Sequence, residues 1–211
     1  MDEHLTSSGP RARLHAAALI AAPVALLAST AAYIANDGLD SGGATAGAIQ
    51  VWAGIALGLA MMGLAARLEG PLPRTAAVLT LTSAIGAAGA IAFGIDSMVF
   101  ATDATAAVSE ADPDGLAATL GLFLPGLTMP ATLIALGVAS LRTGVQPRAA
   151  AIALALGGVA FPISRIGGID ALAVVADLLI GAGMVPMGLA ALRRLGRTGP
   201  VGVGATGAVA A

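Results

Sequence analysis

One arginine and three aspartates carry most of the chemistry that this sequence could perform. Arg165 is followed by Asp170 and Asp177, which are seven residues apart and would therefore share one face of a helix. Asp96 comes earlier, at the end of a long apolar stretch. Gathered around Arg165, the three carboxylates would form a polar cluster able to bind a small ion or to conduct protons. The plainer alternative is an ion pair between Arg165 and Asp177 that joins two helices, with Asp96 and Asp170 as solvated helix ends.

The elements that must position these residues are six long apolar segments. The chain is 57% apolar and 10% charged, and its charged share is far below the roughly 25% of a soluble domain. About 20 apolar residues suffice for a helix to cross a bilayer. We therefore predict an all-α six-transmembrane-helix bundle over residues 11–194, between a flexible N-terminus (1–10) and a flexible C-terminal tail (195–211). The predicted spans are residues 14–34, 48–66, 75–95, 116–140, 149–166 and 169–192.

The arginines predict the orientation of the bundle. The chain has no lysine, and nine of its ten basic residues fall before the first span, between the second and third, between the fourth and fifth, or after the sixth. All these positions lie on one side of the membrane if there are six spans. The acidic connections fall on the other side. Because cytoplasmic loops are enriched in basic residues, we expect both termini in the cytoplasm.

Composition argues against most kinds of catalytic and cofactor site. There is no cysteine for a thiolate metal site or nucleophile, and no lysine for a Schiff base. The two histidines, His4 and His15, both lie near the N-terminus, so a haem, a zinc site and a Ser-His protease are unsupported. No nucleotide-binding or nucleic-acid-binding motif is present. We therefore expect no catalytic residue, cofactor or metal, and no nucleic-acid partner. The expected partners are the lipid bilayer and a second copy of the chain or another membrane protein.

A shift of 74 residues aligns two parts of the chain without gaps. Gly70-x-x-Pro73-Arg74 then falls on Gly144-x-x-Pro147-Arg148, and Gly94-Ile95-Asp96 falls on Gly168-Ile169-Asp170. This alignment suggests a parallel repeat in which spans two and three correspond to spans four and five. Chance matches in an Ala- and Gly-rich chain are the alternative.

The second half of the chain resembles a known group of proteins. The carrying stretches are Leu141-Arg142-x-Gly144-x-x-Pro147-Arg148, Phe161-Pro162-Ile163-Ser164-Arg165-Ile166 and Ala176-Asp177-Leu178-Leu179. Read together, they resemble uncharacterised small polytopic membrane proteins of actinobacteria, mainly over the last three spans. The resemblance implies a plasma-membrane protein but brings no activity, substrate or catalytic residue.

Two functions remain open from the sequence. The first is a non-enzymatic structural, sensory or accessory component of the membrane. The second is a small ion- or proton-coupled transporter, or a channel-like protein, that uses the cluster of Arg165, Asp177, Asp170 and Asp96. An intramembrane enzyme is the weakest interpretation, because no nucleophile and base stand out together.

Overall fold

The computed structural model describes residues 9–39, 43–101 and 115–197, which form helices and no strand. The helices are α1 (Pro10–Ile34), α2 (Ala44–Ala66), α3 (Pro73–Phe100), α4 (Leu116–Thr143), α5 (Arg148–Ile166) and α6 (Asp170–Arg197). All six are long and apolar enough to cross a membrane. The prediction of an all-α, six-span fold is confirmed, and the protein is a multi-pass integral membrane protein.

The six helices form a closed ring. Each helix packs against its neighbours in the chain, and α6 packs against α1. Neighbours run antiparallel: on α1 and α2, for example, Ser29 bonds to Gln50, whereas His15 lies beside Gly63. The starts of α1, α3 and α5 therefore share one end of the ring with the ends of α2, α4 and α6. We call this the arginine-rich end, since nine arginines lie there, and the opposite end, which holds Arg165, the arginine-poor end.

Small residues bring the helix backbones close together. A methyl group added at Gly94 of α3 would lie 2.6 Å from the carbonyl oxygen of Gly47 on α2. One added at Gly137 of α4 would lie 2.7 Å from the carbonyl oxygen of Ala151 on α5. Lipid tails are as apolar as leucine, so association in a membrane depends on close van der Waals packing of this kind.

The large apolar side chains divide between the inside and the outside of the ring. Leu57, Met61 and Leu136 are fully buried in the centre. Trp52 and Leu81 are 70% and 62% exposed on the outer surface, where lipid would cover them. This arrangement suits a protein whose solvent is the bilayer.

Several predicted boundaries differ from the helices. The third span was expected to end at residue 95, but α3 runs on to Phe100, so Asp96 lies inside a helix and does not end one. The extra turn is held from the side, because the Tyr33 hydroxyl bonds to the Ser97 hydroxyl at 2.7 Å, and Ser97 in turn donates to the Phe93 carbonyl at 2.9 Å.

The segments predicted to be flexible at the two ends of the chain also overlap the helices. The N-terminal segment 1–10 was predicted to be flexible, yet α1 begins at Pro10, a proline at the first helical position where its missing N–H costs nothing. The predicted tail 195–211 overlaps α6, which continues to Arg197. Residues 1–8, 40–42, 102–114 and 198–211 lie outside the described part of the chain, and so do the predictions made for them.

The repeat stays a prediction. Both α2–α3 and α4–α5 are antiparallel pairs within the ring. The aligned triplets differ locally, however. Gly94-Ile95-Asp96 lies within continuous helix, whereas Gly168 has a positive φ of 59° and marks the break between α5 and α6.

The outer third of α4 departs from regular α-helix. Residues Thr119–Phe123 form a π turn, in which the Leu124 N–H donates to the Thr119 carbonyl five residues back. Pro125 follows directly and has no N–H to donate to the preceding turn, which is a common reason for such an irregularity. Among the described residues, Gly121 in this turn has no neighbouring group within 4 Å of the place where a methyl would stand, and the turn packs against α3.

Candidate functional site

Arg165 lies in a polar contact that joins three helices. It comes from the last turn of α5, and its Nη2 is 3.4 Å from Oδ2 of Asp177 on α6. The same nitrogen donates to the hydroxyl oxygen of Thr30 on α1, and that hydroxyl donates to Oδ2 of Asp177. The Asp177 side chain is 0% exposed and the Arg165 side chain 16% exposed. Asp177 is seven residues into α6, about 10 Å along its axis, so this contact is a buried charge pair bridged by a threonine.

Both charged groups keep unused hydrogen-bonding capacity. Within the described part of the chain, Nε of Arg165 and Oδ1 of Asp177 are buried and have no hydrogen-bond partner. The guanidinium also stacks on the Phe161 ring, with Cζ 5.0 Å from the ring centroid. Residues four apart on a helix are surface neighbours, which explains why Phe161 and Arg165 meet. A buried donor without a partner costs free energy unless a further group satisfies it.

A cavity of about 230 Å³ opens beside Arg165 at the arginine-poor end of the ring. At about 30 Å³ for each water, this volume equals roughly seven or eight water molecules, the bulk of a small organic acid or headgroup. Five helices contribute to its wall, α1 to α5. Its polar lining consists of Tyr33, Gln50, Asp96, Ser97 and Arg165, and its apolar lining includes Phe93, Met129 and Phe161.

The three predicted carboxylates have different surroundings. Asp177 contacts Arg165 directly. Asp96 is half-buried and lines the same cavity as Arg165. Asp170 opens α6 and accepts a hydrogen bond from the Leu39 N–H at 3.3 Å, so it secures the chain that follows α1. The structure thus places Asp177 against the arginine and Asp96 in the wall of the cavity, whereas Asp170 is bonded to the loop that follows α1.

The ring is filled toward the arginine-rich end. The centre there is occupied by fully buried side chains, which include Leu57, Met61, Leu133, Leu136 and Met184. Buried hydroxyls in the middle of the bundle are satisfied within their own helices: Ser83 donates to the Leu79 carbonyl and Thr132 to the Thr128 carbonyl. The cavity is therefore closed at its base by a packed apolar layer.

Besides Tyr33, four polar residues in or beside this site were not predicted as its members. Thr30, Ser29, Gln50 and Ser97 are polar residues inside apolar helices, and Ser29, the residue before Thr30, donates to Gln50 at 3.0 Å. Their shared depth near the arginine-poor ends of α1, α2 and α3 is the signal that could have grouped them. Hydroxyl residues are frequent in membrane helices, so that signal is weak without the packing.

No family model, curated protein or solved structure matches this chain. Across residues 9–39, 43–101 and 115–197, no group of three histidine or acidic side chains comes together as a metal site would need. The arrangement of Arg165 and its cavity is therefore the basis for any functional conclusion.

Proposed function

We propose that this protein is a non-enzymatic, membrane-embedded binding protein, a sensory or accessory component whose ligand occupies the cavity beside Arg165. The single observation that carries this proposal is that Arg165, whose side chain is 16% exposed, lines a 230 Å³ cavity. A guanidinium offers five donors in a planar fork, so the group that suits it is a carboxylate or a phosphate. The packed leucine and methionine layer beneath the cavity supports binding over free conduction.

The proposal includes an orientation and a location. With nine arginines at one end, the positive-inside tendency puts that end in the cytoplasm and the cavity on the outer side of the cytoplasmic membrane. This placement agrees with the resemblance of the second half of the chain to small polytopic actinobacterial membrane proteins. Binding would then report on the outside of the cell, as a sensory role requires.

Co-purification tests the proposal. We expect the detergent-purified protein to release, on denaturation, a compound with a carboxylate or phosphate in near-stoichiometric amount, detected by mass spectrometry. Ser97→Phe fills the cavity from the end of α3 and should abolish retention. Leu81→Phe is the matched control, because it adds the same ring to the same helix at a 62% exposed position. Equal retention by both variants, or no retained compound in the wild type, would contradict the proposal.

Transport coupled to an ion or proton is the alternative. The observation that favours it is that Oδ1 of buried Asp177 has no hydrogen-bond partner among the described residues, since intramembrane acids of this kind often carry protons. In proteoliposomes, a folded Asp177→Asn protein that loses an ion- or proton-dependent flux would support transport. If the same variant loses thermal stability in detergent and neither protein shows flux, the pair holds the helices together and transport is rejected.

A further inference from the structure

One acidic side chain of the cavity lacks a counter-charge. Asp96 of α3 is half-buried and lines the cavity wall. Among the described residues it forms no ion pair, and no neighbouring cation or side-chain hydrogen bond stabilises its charged form. The other charged residue of the described wall is Arg165, whose charge is already balanced by Asp177. Asp96 is thus a negative charge on the cavity wall without compensation.

This charge restricts the ligand of the proposed function. A carboxylate or a phosphate at Arg165 would bring a second negative charge into a cavity that already holds Asp96. Like charges repel more strongly in a partly enclosed space, because less water screens them there. A ligand that carries a cationic group as well as the anionic one removes this repulsion. The charges of the wall therefore favour a zwitterion over a plain anion.

The two charged residues lie on different walls of the cavity. Asp96 belongs to α3 and Arg165 to α5, and α4 packs between these two helices in the ring. Tyr33 of α1 lies close enough to both residues to be affected by each charge. Its hydroxyl donates to Ser97, the residue after Asp96, at 2.7 Å. A ligand that reaches both charges must therefore extend across the cavity, with opposite charges at its two ends.

An aromatic ring lies beside the place where a cation would meet Asp96. Phe93 precedes Asp96 by three residues, so the two side chains are neighbours on the surface of α3. Phe93 is 40% exposed and lines the cavity, as Tyr33 and Phe161 also do. The face of an aromatic ring attracts a cation. Asp96 and Phe93 together can therefore hold an ammonium group.

The hydrogen bonds of the wall favour an ammonium group without N–H donors. A primary ammonium has three N–H groups to satisfy. The Ser97 hydroxyl donates to a carbonyl of its own helix and accepts from Tyr33. Oε1 of Gln50 accepts from Ser29. Because these acceptors are engaged, the Asp96 carboxylate is the described group of the wall that can face a cation. A quaternary ammonium needs charge and aromatic contact but no acceptor.

We propose that the ligand of the cavity is a small soluble betaine, a zwitterion whose quaternary ammonium lies between Asp96 and Phe93 and whose carboxylate lies at Arg165. This inference rests on the proposed function and specifies its ligand class. The cavity of about 230 Å³, equal to roughly seven or eight water molecules, has room for such a molecule. In the proposed orientation, the solute reaches the site from the aqueous phase outside the cell.

Equilibrium binding of radiolabelled glycine betaine to the detergent-purified full-length protein tests this inference. The matched competitor is tert-butylacetate, which has the same shape and the same carboxylate but a carbon atom in place of the cationic nitrogen. We expect glycine betaine to bind at least about tenfold more tightly than tert-butylacetate. Phospholipid with a choline headgroup is the other source of this chemistry. Displacement of glycine betaine by lysophosphatidylcholine at a lower concentration than by glycine betaine itself would overturn the assignment to a soluble ligand.

A pair of variants assigns the selectivity to Asp96. Asp96→Asn keeps the side-chain shape and removes the charge, so it should lower the affinity for glycine betaine at least about tenfold and abolish the preference over tert-butylacetate. Asp37→Asn is the matched control, because Asp37 is exposed at the same end of the ring and is not among the residues that line the cavity. Its positive φ of 68° also suits asparagine. The control should leave both affinities unchanged.

Three results would overturn the inference and leave the proposed function intact. They are absence of glycine betaine binding, equal binding of glycine betaine and tert-butylacetate by the wild type, and an unchanged preference in Asp96→Asn. The first two need only the wild-type protein, so the test stays valid if the variant does not fold. Choline carries the same ammonium with a hydroxyl in place of the carboxylate. Choline binding as tight as that of glycine betaine would overturn both proposals, because each requires an anionic group at Arg165.

Discussion

Removing one member of the Arg165–Asp177 pair leaves the other as a buried charge without compensation. We expect Asp177→Asn to lower the free energy of unfolding by about 3 kcal/mol, as for other broken buried pairs. The double variant Arg165→Gln/Asp177→Asn should recover part of this loss, because neither charge remains. Thermal unfolding in detergent measures both effects. Arg142→Gln, at an exposed arginine, is the control and should change stability little. Additive losses in the double variant would show that the two residues do not interact.

The Thr30 hydroxyl accepts from Arg165 and donates to Asp177, so it bonds to both charges. Thr30→Val keeps the side-chain shape and removes this bridge. We expect a loss of about 1.5–3 kcal/mol, the range for hydrogen bonds to charged groups. Thr128→Val is matched to it, since the Thr128 hydroxyl donates only to the Leu124 carbonyl of its own helix. A similar small change in both variants would mean that the bridge adds nothing.

At this scale, the charged residues could be found from the sequence and the neutral ones could not. A charge inside an apolar segment is costly, so Arg165 and Asp177 stand out by type alone. Thr30 resembles any other hydroxyl that bonds to its own helix, since the Leu26 carbonyl, 3.2 Å away, is an alternative acceptor for its single hydroxyl proton. Its pairing depends on how α1 packs against α5 and α6, at a sequence separation of 135 residues or more.

Among the elements, the α2–α3 pair depends directly on small residues. Gly94→Ala would put a methyl 2.6 Å from the Gly47 carbonyl oxygen, and backbone cannot move aside as a flexible side chain can. We expect a loss of about 1–3 kcal/mol, the usual cost of overpacking. Thermal unfolding in detergent measures it.

Gly121→Ala adds the same methyl group at a position where no other group of the described residues lies within 4 Å of it. It should leave the protein unchanged or stabilise it by up to about 1 kcal/mol through helix propensity. Equal destabilisation by both variants would indicate a general requirement for glycine and not a close helix crossing.

The existence of each helix could be predicted from the sequence, whereas the residues at which the helices end could be predicted less well. Each long apolar run predicts a membrane-spanning helix, because a backbone inside the bilayer must satisfy its own hydrogen bonds. The end of α3 was misjudged because Asp96 was interpreted as a stop, whereas the Tyr33–Ser97 contact holds one more turn. That contact joins residues 64 apart and has no local signature. The cavity depends on this extra turn, since Ser97 belongs to its wall.

For the whole molecule, the arginine distribution predicts which end faces the cytoplasm. The chain has no cysteine, so single cysteines can be introduced without a background. Ile169→Cys lies between α5 and α6 at the arginine-poor end and is 47% exposed, whereas Gly70→Cys lies in the exposed turn before α3 at the arginine-rich end. A membrane-impermeant maleimide added to intact cells should label only the cysteine at 169. Labelling at position 70 without permeabilisation would reverse the orientation.

The closed order of the ring also has a consequence for biosynthesis. Thr30 belongs to the first helix to be made, whereas Arg165 and Asp177 belong to the last two. When α5 enters the bilayer, its arginine lacks its ion-pair partner until α6 follows, so the pair can form only after the last helix has been made. The Thr30–Arg165–Asp177 contact therefore forms only after all six helices have been made and α1 has packed against α5 and α6.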